Sequence, residues 1–527
     1  MIERLKSTSD VEAVWVKISS RQVVYLSVLI LFLILVRTAW VADDAFLTMR
    51  TVDNFVNGYG LRWNVLERVQ IYTHPMWMFL LSALYIFIRD PFIVFYGLTI
   101  LLSLIAIYIF GTTFATSSAK AVLGFSILIF SKAFIDYSTS GLENPLTHLL
   151  ILVFLYIFLE KDHSLMIGFW LFFIASLMAF NRMDTLLILI PALTMILYEN
   201  RNIKMLAYAG LGFLPFILWE LFSLLYYGFP FPNTAYAKLG TGISSLLLLQ
   251  QGIRYVIDSI QRDPATLFVI VLAIVLAFKS RSIRLSLVAI GIVLYFAYVI
   301  KIGGDFMSGR FFSALLLAAA VLILKTTDIN FSRANLVILG LIIALGLSAS
   351  NPNLSNHLSP DDNIRKFGIT DERRVYFRTL ALINLNWKTR LPDHIWAQQG
   401  LEHKAKGRVL SIGPSSGLFA FYAGPNLHVV DTHGLGDPLL ARLPAYNTSN
   451  FIIGHFFRAV PDGYWKYKRS FGDQIKDKNL REYYQKLSIL IHSEKLFSRG
   501  RLLTIWRFNT GYYDYLLKAY LADIAAR

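Results

Sequence analysis

The chain has 527 residues, of which 56% are hydrophobic and only 16% are charged, whereas soluble proteins carry about 25% charged residues. This composition excludes an ordinary soluble protein and is typical of a polytopic α-helical membrane protein. The sequence contains no cysteine, which excludes disulfides, cysteine-ligated zinc and a cysteine nucleophile.

The formal net charge is +16. In a membrane protein, Lys and Arg mark cytoplasmic loops and contact lipid phosphates. No pattern of alternating basic and aromatic residues indicates RNA or DNA binding. Membrane lipids are therefore the expected partner of these cations, and no nucleic-acid partner is predicted.

The first apolar run covers residues 22–41. At about 20 residues it is too long for the core of a signal peptide and long enough to cross a bilayer. Residues 1–21 carry four Lys or Arg, which predicts a cytoplasmic N-terminus. The run ends at an acidic pair, Asp43 and Asp44, which opens a polar, glycine-punctuated outer loop over residues 42–75.

Three apolar segments follow this loop, at about 75–89, 92–115 and 119–132. Eight more spans are predicted, at about 144–160, 164–180, 185–198, 205–226, 264–278, 283–300, 311–324 and 335–350. The positively charged turns between the later spans are assigned to the cytoplasm. The polar segment 138–144 and the first loop then both lie outside, so an even number of crossings separates them.

One of the first three segments therefore does not cross, and 75–89 and 119–132 are the shortest of them. The prediction is a membrane domain over residues 1–350 with eleven crossings. Five polar clusters then share the outer face, at 43–75, 138–144, 181–184, 228–263 and 303–310. Polar groups at the ends of spans are costly unless they are hydrated, paired or functional, so their convergence predicts a site on that face.

Residues 351–527 are polar and are predicted to form a periplasmic α/β domain. Strands are expected at 408–413 and 427–434, with a short helix between them. A hairpin is expected at 495–508.

The acidic pair has two interpretations. One carboxylate could cap a helix that begins at Ala45. Alternatively, Asp44 or Asp43 could act as a general base, because a like charge and nearby lipid raise a carboxylate pKa.

Other acids on the outer face could be catalytic or could form structural ion pairs with nearby arginines; they are Glu143, Asp184 and Asp305. Cations on the same face could contact lipid headgroups or together clamp a lipid-linked phosphate; they are Arg62, Arg68, His74, Lys238 and Arg310. No motif demands a metal or another cofactor. The acids could still hold a divalent cation against a phosphate.

Several multi-residue stretches occur in order between residue 42 and about residue 465. They are ADDAFLTMRTVDNFVNGYGLRWN, ERVQIYTHPMW, SGLENPL, PNTAYAKLG, GGDFMSGRFF, DTHGLGDPLLARLPA and GHFFRAVPDGY. Together they resemble the integral-membrane arabinofuranosyltransferases of the GT-C class. This family includes enzymes of the mycobacterial cell wall and type IV pilin arabinosyltransferases.

The resemblance implies transfer of D-arabinofuranose on the outer face of the bacterial inner membrane. The donor would be decaprenyl-phosphoryl or another polyprenyl-phosphoryl arabinofuranose, and Asp43 and Asp44 would carry the acid–base role. The supporting or acceptor-side residues would be Asp431, His433, Asp437, Arg442, His455 and Arg458. The abundance of Ile, Phe, Lys and Asn favours a non-mycobacterial bacterium, so the acceptor could be a surface glycan or a pilin.

Two other functions remain open at this stage. A flippase or transporter of lipid-linked sugar would also need a phosphate site. Such a protein is expected to have charged or broken helices near the bilayer midplane. A GT-C ligase that transfers a preassembled glycan would need a similar site with a wider groove.

Overall fold

The computed structural model describes residues 19–326, 329–349, 365–414, 416–446, 448, 451–464 and 474–526. The cytoplasmic assignment of residues 1–18 lies outside the described residues, as does the start of the predicted periplasmic domain. The described chain is mostly helical. In chain order its first helices are α1 (Ser20–Thr38), α2 (Asp43–Val56), α3 (Pro75–Ile88), α4 (Pro91–Thr113), α5 (Ser118–Phe130), α6 (Lys132–Tyr137), α7 (Asn144–Glu160), α8 (Leu165–Asn181) and α9 (Leu186–Glu199).

The next helices are α10 (Ile203–Gly212), α11 (Leu214–Tyr226), α12 (Asn233–Leu239), α13 (Ser245–Arg262), α14 (Pro264–Lys279), α15 (Ile283–Lys301), α16 (Phe312–Thr326) and α17 (Arg333–Leu347). The remaining elements are strands β1 (Arg365–Lys366) and β2 (Ile369–Thr370), helices α18 (Glu372–Leu380) and α19 (Ile395–Ala405), strand β3 (Leu410–Gly413), helix α20 (Gly417–Ala423), strand β4 (His428–Asp431), and helices α21 (Lys478–His492), α22 (Arg499–Asn509) and α23 (Asp514–Ala525). Every apolar segment predicted from the sequence forms a helix or a pair of helices.

Local sequence explains where many of these helices begin. Proline occupies the first turn of α3, α7 and α14, a position where its missing N–H costs nothing. Serine caps α1, α5 and α8 by accepting a hydrogen bond from a backbone N–H in the first turn, as expected for an N-cap residue.

Within the described residues, α1, α4 and α15 are long and apolar enough to cross a membrane. Two bent pairs, α10 with α11 and α13 with α14, would raise the number to five if each pair were one span. Other apolar helices are shorter, with 10–17 residues. These features fit a helical membrane protein, and the count of eleven crossings stays a prediction.

The chain divides into two compact units that alternate along the sequence. The first contains Met1–Ala42, Phe95–Leu214 and Ser245–Leu385, and the second contains Asp43–Val94, Pro215–Ser244 and Asn386–Arg527. The predicted domain boundary at residue 350, between a membrane domain and a soluble domain, stays a prediction.

Helix α16 is the centre of the first unit. Its residues from Phe312 to Leu324 are all buried, and α7, α14 and α15 pack around it. Three consecutive alanines, Ala318 to Ala320, are fully buried. Small residues let helix backbones approach closely when the surrounding medium is apolar.

The second unit contains the predicted α/β element. Strands β3 and β4 pair in parallel, with Leu410 opposite His428, and α20 connects them. This confirms both expected strands, with shorter bounds, and the short helix between them. Aromatic and leucine side chains from α21, α22 and α23 form much of the unit's core.

The hairpin expected at 495–508 is wrong, because residues Arg499–Asn509 form helix α22. Within RLLTIWRF, Ile505 is buried on one face of the helix, whereas Leu502 and Trp506 are exposed. Burial on one face at helical spacing, together with packing on α21, decided the helix over the strand.

Candidate functional site

Helix α2 carries the acidic pair at its start. Asp43 and Asp44 both lie in its first turn, where the positive end of the helix dipole favours carboxylates. Their environments differ, because Asp43 is buried and Asp44 is half-buried. The pair therefore consists of one enclosed carboxylate and one more accessible carboxylate.

The carboxylate of Asp43 caps another helix. It accepts hydrogen bonds of 2.8 Å from the backbone N–H groups of Gly417 and Leu418, and one of 3.2 Å from the hydroxyl of Ser416. These donors form the start of α20. The capping alternative thus occurs in an unexpected form, since α2 begins at Asp43 rather than at Ala45.

Burial raises the pKa of Asp43 to about 7, and the neighbouring Asp44 adds to the rise, although the bonds from Leu418, Gly417 and Ser416 act in the opposite direction. A carboxylate with such a pKa can exchange a proton near neutral pH. Its three donors, however, occupy its oxygens and hold the side chain in place.

Asp44 lies one helical turn before Thr48, and residues four apart share a helix face. The hydroxyl of Thr48 lies 2.7 Å from Nε2 of His74. The predicted phosphate ligand His74 is therefore brought to the face of α2 that bears Asp44. His74 itself is buried and precedes Pro75, the first residue of α3.

Sequence reasoning missed Arg50, which fixes the same helix. Its guanidinium is buried and donates to the backbone carbonyls of Trp63, Ala420 and Leu427. It thereby links α2 to the outer loop, to helix α20 and to the residue that precedes β4. A lone arginine amid apolar residues of a helix was the only signal in the sequence.

The predicted phosphate-binding cations of the second unit have different roles. Lys238 is exposed in the last turn of α12. Arg62 donates from Nη1 to the carbonyl of Val65 at 2.9 Å, and buried Arg68 donates from Nη2 to the carbonyl of Leu490 at 3.2 Å. Among the described residues, the buried Nε atoms of Arg62 and Arg68 have no hydrogen-bond acceptor.

The positive charge around Arg68 is concentrated. Burial lowers the pKa of Arg68, and the nearby Arg62 lowers it further. Burial, followed by the charge of Arg68, also lowers the pKa of Arg501. Cations that repel one another in a buried region favour an anion beside them.

Arg68 also lines a small cleft in the second unit, with room for about one water molecule. The other lining residues include Gln70, Tyr227, Phe229, Asn233 and Tyr236. Aromatic walls with a few polar groups are typical of small-molecule sites. The cleft has this composition, but its size admits the edge of a ligand rather than a whole ring.

Next to this cleft, Arg442 lies with its guanidinium 4.1 Å from the centre of the Phe229 ring and donates to the side-chain oxygen of Asn233 at 3.2 Å. Asn233 in turn donates to the backbone carbonyls of Gly434, Leu435 and Asp437. Asn233 thus shapes the loop that carries the DTHGLGD motif.

The remaining residues of that loop are mostly structural. Asp431 accepts hydrogen bonds from the N–H groups of His433 and Gly436. Among the described residues, buried Arg458 donates only to backbone carbonyls, including that of His433 at 2.9 Å. These bonds close the loop and leave Arg458 poorly placed to bind a ligand.

The imidazole of His433 is buried against the rings of His455 and Phe457, with centroids 5.0 and 4.6 Å away. Burial, and then the charges of His455 and Arg458, lower its pKa to about 3. His433 is therefore neutral at physiological pH.

The predicted acceptor-side residue Asp437 forms a second buried acidic pair with Glu67, which sequence reasoning missed. Asp437 accepts hydrogen bonds from the hydroxyl of Tyr464 and from two backbone N–H groups, and Glu67 accepts one from Asn64 at 2.9 Å. Burial raises the pKa of Glu67, and the charge of Asp437 raises it further. Two buried carboxylates in electrostatic contact favour sharing one proton.

The other predicted residues form one ion-pair network in the first unit. Fully buried Glu143 pairs with Arg182 at 2.9 Å and with Arg310 at 3.0 Å. Arg182 also pairs with Asp184 at 2.6 Å, and Arg310 with Asp305 at 3.5 Å. The structure therefore joins Glu143, Asp184, Asp305 and Arg310, as the ion-pair alternative expected.

A second charged cluster of the first unit went unnoticed in the sequence. Lys132 lies 2.6 Å from Asp136 and 3.2 Å from Asp371, while Arg373 pairs with Asp136 at 3.0 Å. Burial opposes the charge of Asp371, but Lys132 and Arg373 lower its pKa to about 2. Each of these four charges therefore has an opposite partner within the cluster.

Among the described residues, no group of three or more His, Asp or Glu side chains is arranged to hold a metal ion. The ion-pair network and the acidic pair belong to different units. Arg310 belongs to the first unit, whereas the other predicted phosphate-binding cations belong to the second.

The apolar helices fit a helical membrane protein, and the chain is distantly similar to a glycosyltransferase. The terminal β-(1→2)-arabinofuranosyltransferase of Mycobacterium tuberculosis is 28% identical over 395 residues, which cover 64% of this chain and 62% of that enzyme. The match thus spans less than two thirds of the relative's length. No family model matches the chain, and no solved structure matches it.

Proposed function

We propose that the protein is a glycosyltransferase of the bacterial inner membrane, with its site on the outer face. It transfers D-arabinofuranose from a polyprenyl-phosphate donor to a surface glycan or a pilin. The observation that carries the proposal is the similarity to an arabinofuranosyltransferase over 395 residues. The stretches that resemble GT-C arabinofuranosyltransferases support the same function.

Asp44 is proposed as the general base. Asp43 is engaged by three donors at the start of α20, whereas Asp44 is more exposed and adjacent. The role of Asp43 is then to hold the start of α2 and to place Asp44 beside the acceptor. Asp43 thus has a structural role and Asp44 a catalytic role.

The reaction is written as an in-line displacement. The acceptor hydroxyl oxygen attacks the anomeric carbon, the bond from that carbon to the phosphate oxygen breaks, and the hydroxyl proton passes to Asp44. The phosphate leaves as an anion that Arg62, Arg68 and His74 stabilise. This step inverts the anomeric centre. Retention would need a second carboxylate to form an intermediate.

The cleft around Arg68 is proposed to contact one edge of a sugar of the acceptor or donor. The buried Nε of Arg68, which has no acceptor among the described residues, supplies a polar contact, while Phe229 and Tyr236 supply apolar faces. The exposed Phe231 forms part of the rim.

The test is an in vitro assay with synthetic polyprenyl-phosphoryl arabinofuranose and purified protein in vesicles. Asp44→Asn is expected to lower the transfer rate by about 100-fold or more, the usual effect of removing a general base. Asp53→Asn is the matched control, because Asp53 lies on the same helix and bonds Tyr85. Full activity of Asp44→Asn would overturn the role of Asp44.

The same assay tests the donor and the class of protein. Transfer only from another lipid-linked sugar would overturn the arabinofuranose donor but keep the glycosyltransferase. Movement of the donor across the bilayer without transfer would indicate a flippase. Transfer of preassembled oligosaccharide alone would indicate a ligase.

A further inference from the structure

Helix α13 has an unusual distribution of side chains, because its apolar face is exposed. Leu246, Leu249, Ile253, Ile257 and Ile260 are each 41–64% exposed. At 3.6 residues per turn they fall within about 80° of the helix circumference. A helix on the surface of a water-soluble protein would have polar residues on its exposed face.

The opposite face of α13 is polar and buried. Gln251 donates to the carbonyl of Phe367 at 2.8 Å, Tyr255 donates to the carbonyl of Met307 at 3.0 Å, and Asp258 pairs with Arg262 at 2.7 Å. This reverses the usual arrangement of an amphipathic helix in water. The apolar face must therefore meet an apolar surrounding.

A third stripe lies between these two faces. Gln250, Arg254 and Gln261 are exposed and occupy an arc of about 40° beside the apolar residues. Such an arrangement, with an apolar face bordered by polar and basic residues, is typical of helices that lie in a membrane interface.

The angle between α13 and α14 also indicates that α13 lies at a membrane interface. The chain turns by 109° between α13 and α14, so the two helices are nearly perpendicular. Asp263 fixes the corner by accepting hydrogen bonds from Thr266 and from the backbone N–H of Ala133. Helix α14 exposes Val271, Val275 and Phe278, which continue the apolar surface.

We propose that α13 lies in the plane of the membrane interface, with its apolar face in the lipid and Arg254 at the level of the headgroup phosphates. Its partner is the lipid surface. The apolar side chains are expected to reach about 5–10 Å into the boundary of headgroups and acyl chains.

This placement has a consequence for the ion-pair network. The buried face of α13 contacts the loop that carries Asp305 and Arg310, through Tyr255 on Met307 and through Asp258, which accepts a hydrogen bond of 2.5 Å from Ser308. Helix α13 thus holds this loop in place through these two hydrogen bonds. Gly252 allows the contact with α15, because a Cβ there would lie 2.0 Å from the carbonyl oxygen of Ile300.

The chain offers a clean test, because it contains no cysteine. Single cysteines replace Leu249, Ile253, Ile257 and Ile260 on the apolar face, and Arg254 and Gln261 on the polar stripe. Each is labelled with a nitroxide in vesicles of phosphatidylethanolamine and phosphatidylglycerol. The collision rates with oxygen and with a water-soluble nickel chelate then give the depth of each label.

The four apolar-face labels are expected to collide with oxygen, to be several-fold less accessible to nickel than the two polar-stripe labels, and to share one depth. A helix that crossed the bilayer would instead spread them over about 16 Å, at 1.5 Å per residue, which would overturn the proposal. Equal nickel accessibility of both sets would overturn it, and so would protection from both reagents, which indicates a protein partner. Val271→Cys on α14 serves as a deeper reference.

The measurement does not depend on sugar transfer. An inactive protein can still show the expected depths, and an active one can contradict them. Failure of this inference is therefore distinguishable from failure of the proposed function. Circular dichroism of each variant confirms that its helices are retained.

Discussion

The carboxylate of Asp43 accepts a hydrogen bond of 2.8 Å from the backbone N–H of Gly417, although 374 positions separate the two residues. The bond joins the first turn of α2 to the first turn of α20. Because Asp43 is held in this way, the adjacent Asp44 remains the more accessible carboxylate of the pair.

Replacement of Asp43 by alanine is expected to destabilise the protein. It removes the acceptor for Gly417, Leu418 and Ser416, and leaving buried donors unpaired costs about 1–3 kcal/mol. Asp44→Ala is the matched control and should change the melting temperature less. Thermal unfolding in detergent micelles measures both. Equal effects would contradict the capping role of Asp43.

The stability contribution of Asp43 should depend on pH. Its folded-state pKa of about 7 lies above its ordinary value of 3.8, so between these values the folded protein binds the additional proton. Stability is therefore expected to fall as the pH rises from about 4 to 7. Melting temperatures of the wild type minus those of Asp43→Asn should decrease over this range. A constant difference would contradict the raised pKa.

Substitution of Gly417 should disturb the same contact. A Cβ at this position would lie 2.0 Å from the carbonyl oxygen of Asp43, so Gly417→Ala must push α2 away from α20. Overpacking of this kind costs about 1–3 kcal/mol. Gly413→Ala is the control, because a Cβ there meets nothing within 4 Å. A melting temperature that falls equally in both variants would contradict the steric contact between Gly417 and Asp43.

The ion-pair network should be sensitive to Glu143. Glu143→Gln leaves Arg182 and Arg310 without their shared carboxylate, and breaking a buried pair costs about 3–5 kcal/mol. The comparison is Lys476→Gln, because Lys476 and Asp462 are about three quarters exposed and an exposed pair contributes about 0–1 kcal/mol. Equal melting temperatures for the two variants would argue against a structural network.

The cleft near Arg68 makes a kinetic prediction. Phe231→Ala removes an apolar face from its rim, which should raise KM for one substrate by several-fold and leave kcat nearly unchanged. Phe497→Ala removes another exposed aromatic ring of the same unit and should leave both constants unchanged. A lower kcat with the same KM would place Phe231 in the chemical step instead.

Much of the helical architecture follows from the sequence. Runs such as 92–115 and 283–300 are apolar along most of their length, and prolines mark several helix starts. The interfacial character of α13 did not, since residues 228–263 contain enough polar groups to resemble a loop. The helix at 499–509 was misassigned because a short apolar stretch around Arg-Gly satisfies both a strand and a helix until its partners are known.

The sequence by itself determined the apolar helical class, the acidic pair at residues 43 and 44, and the motifs that resemble arabinofuranosyltransferases. Only the tertiary structure decided that Asp43 caps α20, that Glu143 is shared by two arginines, and that Arg458 donates only to carbonyls. The reason is physical. Residue type sets what a side chain can donate or accept, but its actual partners come from segments hundreds of residues away, and burial then sets its charge.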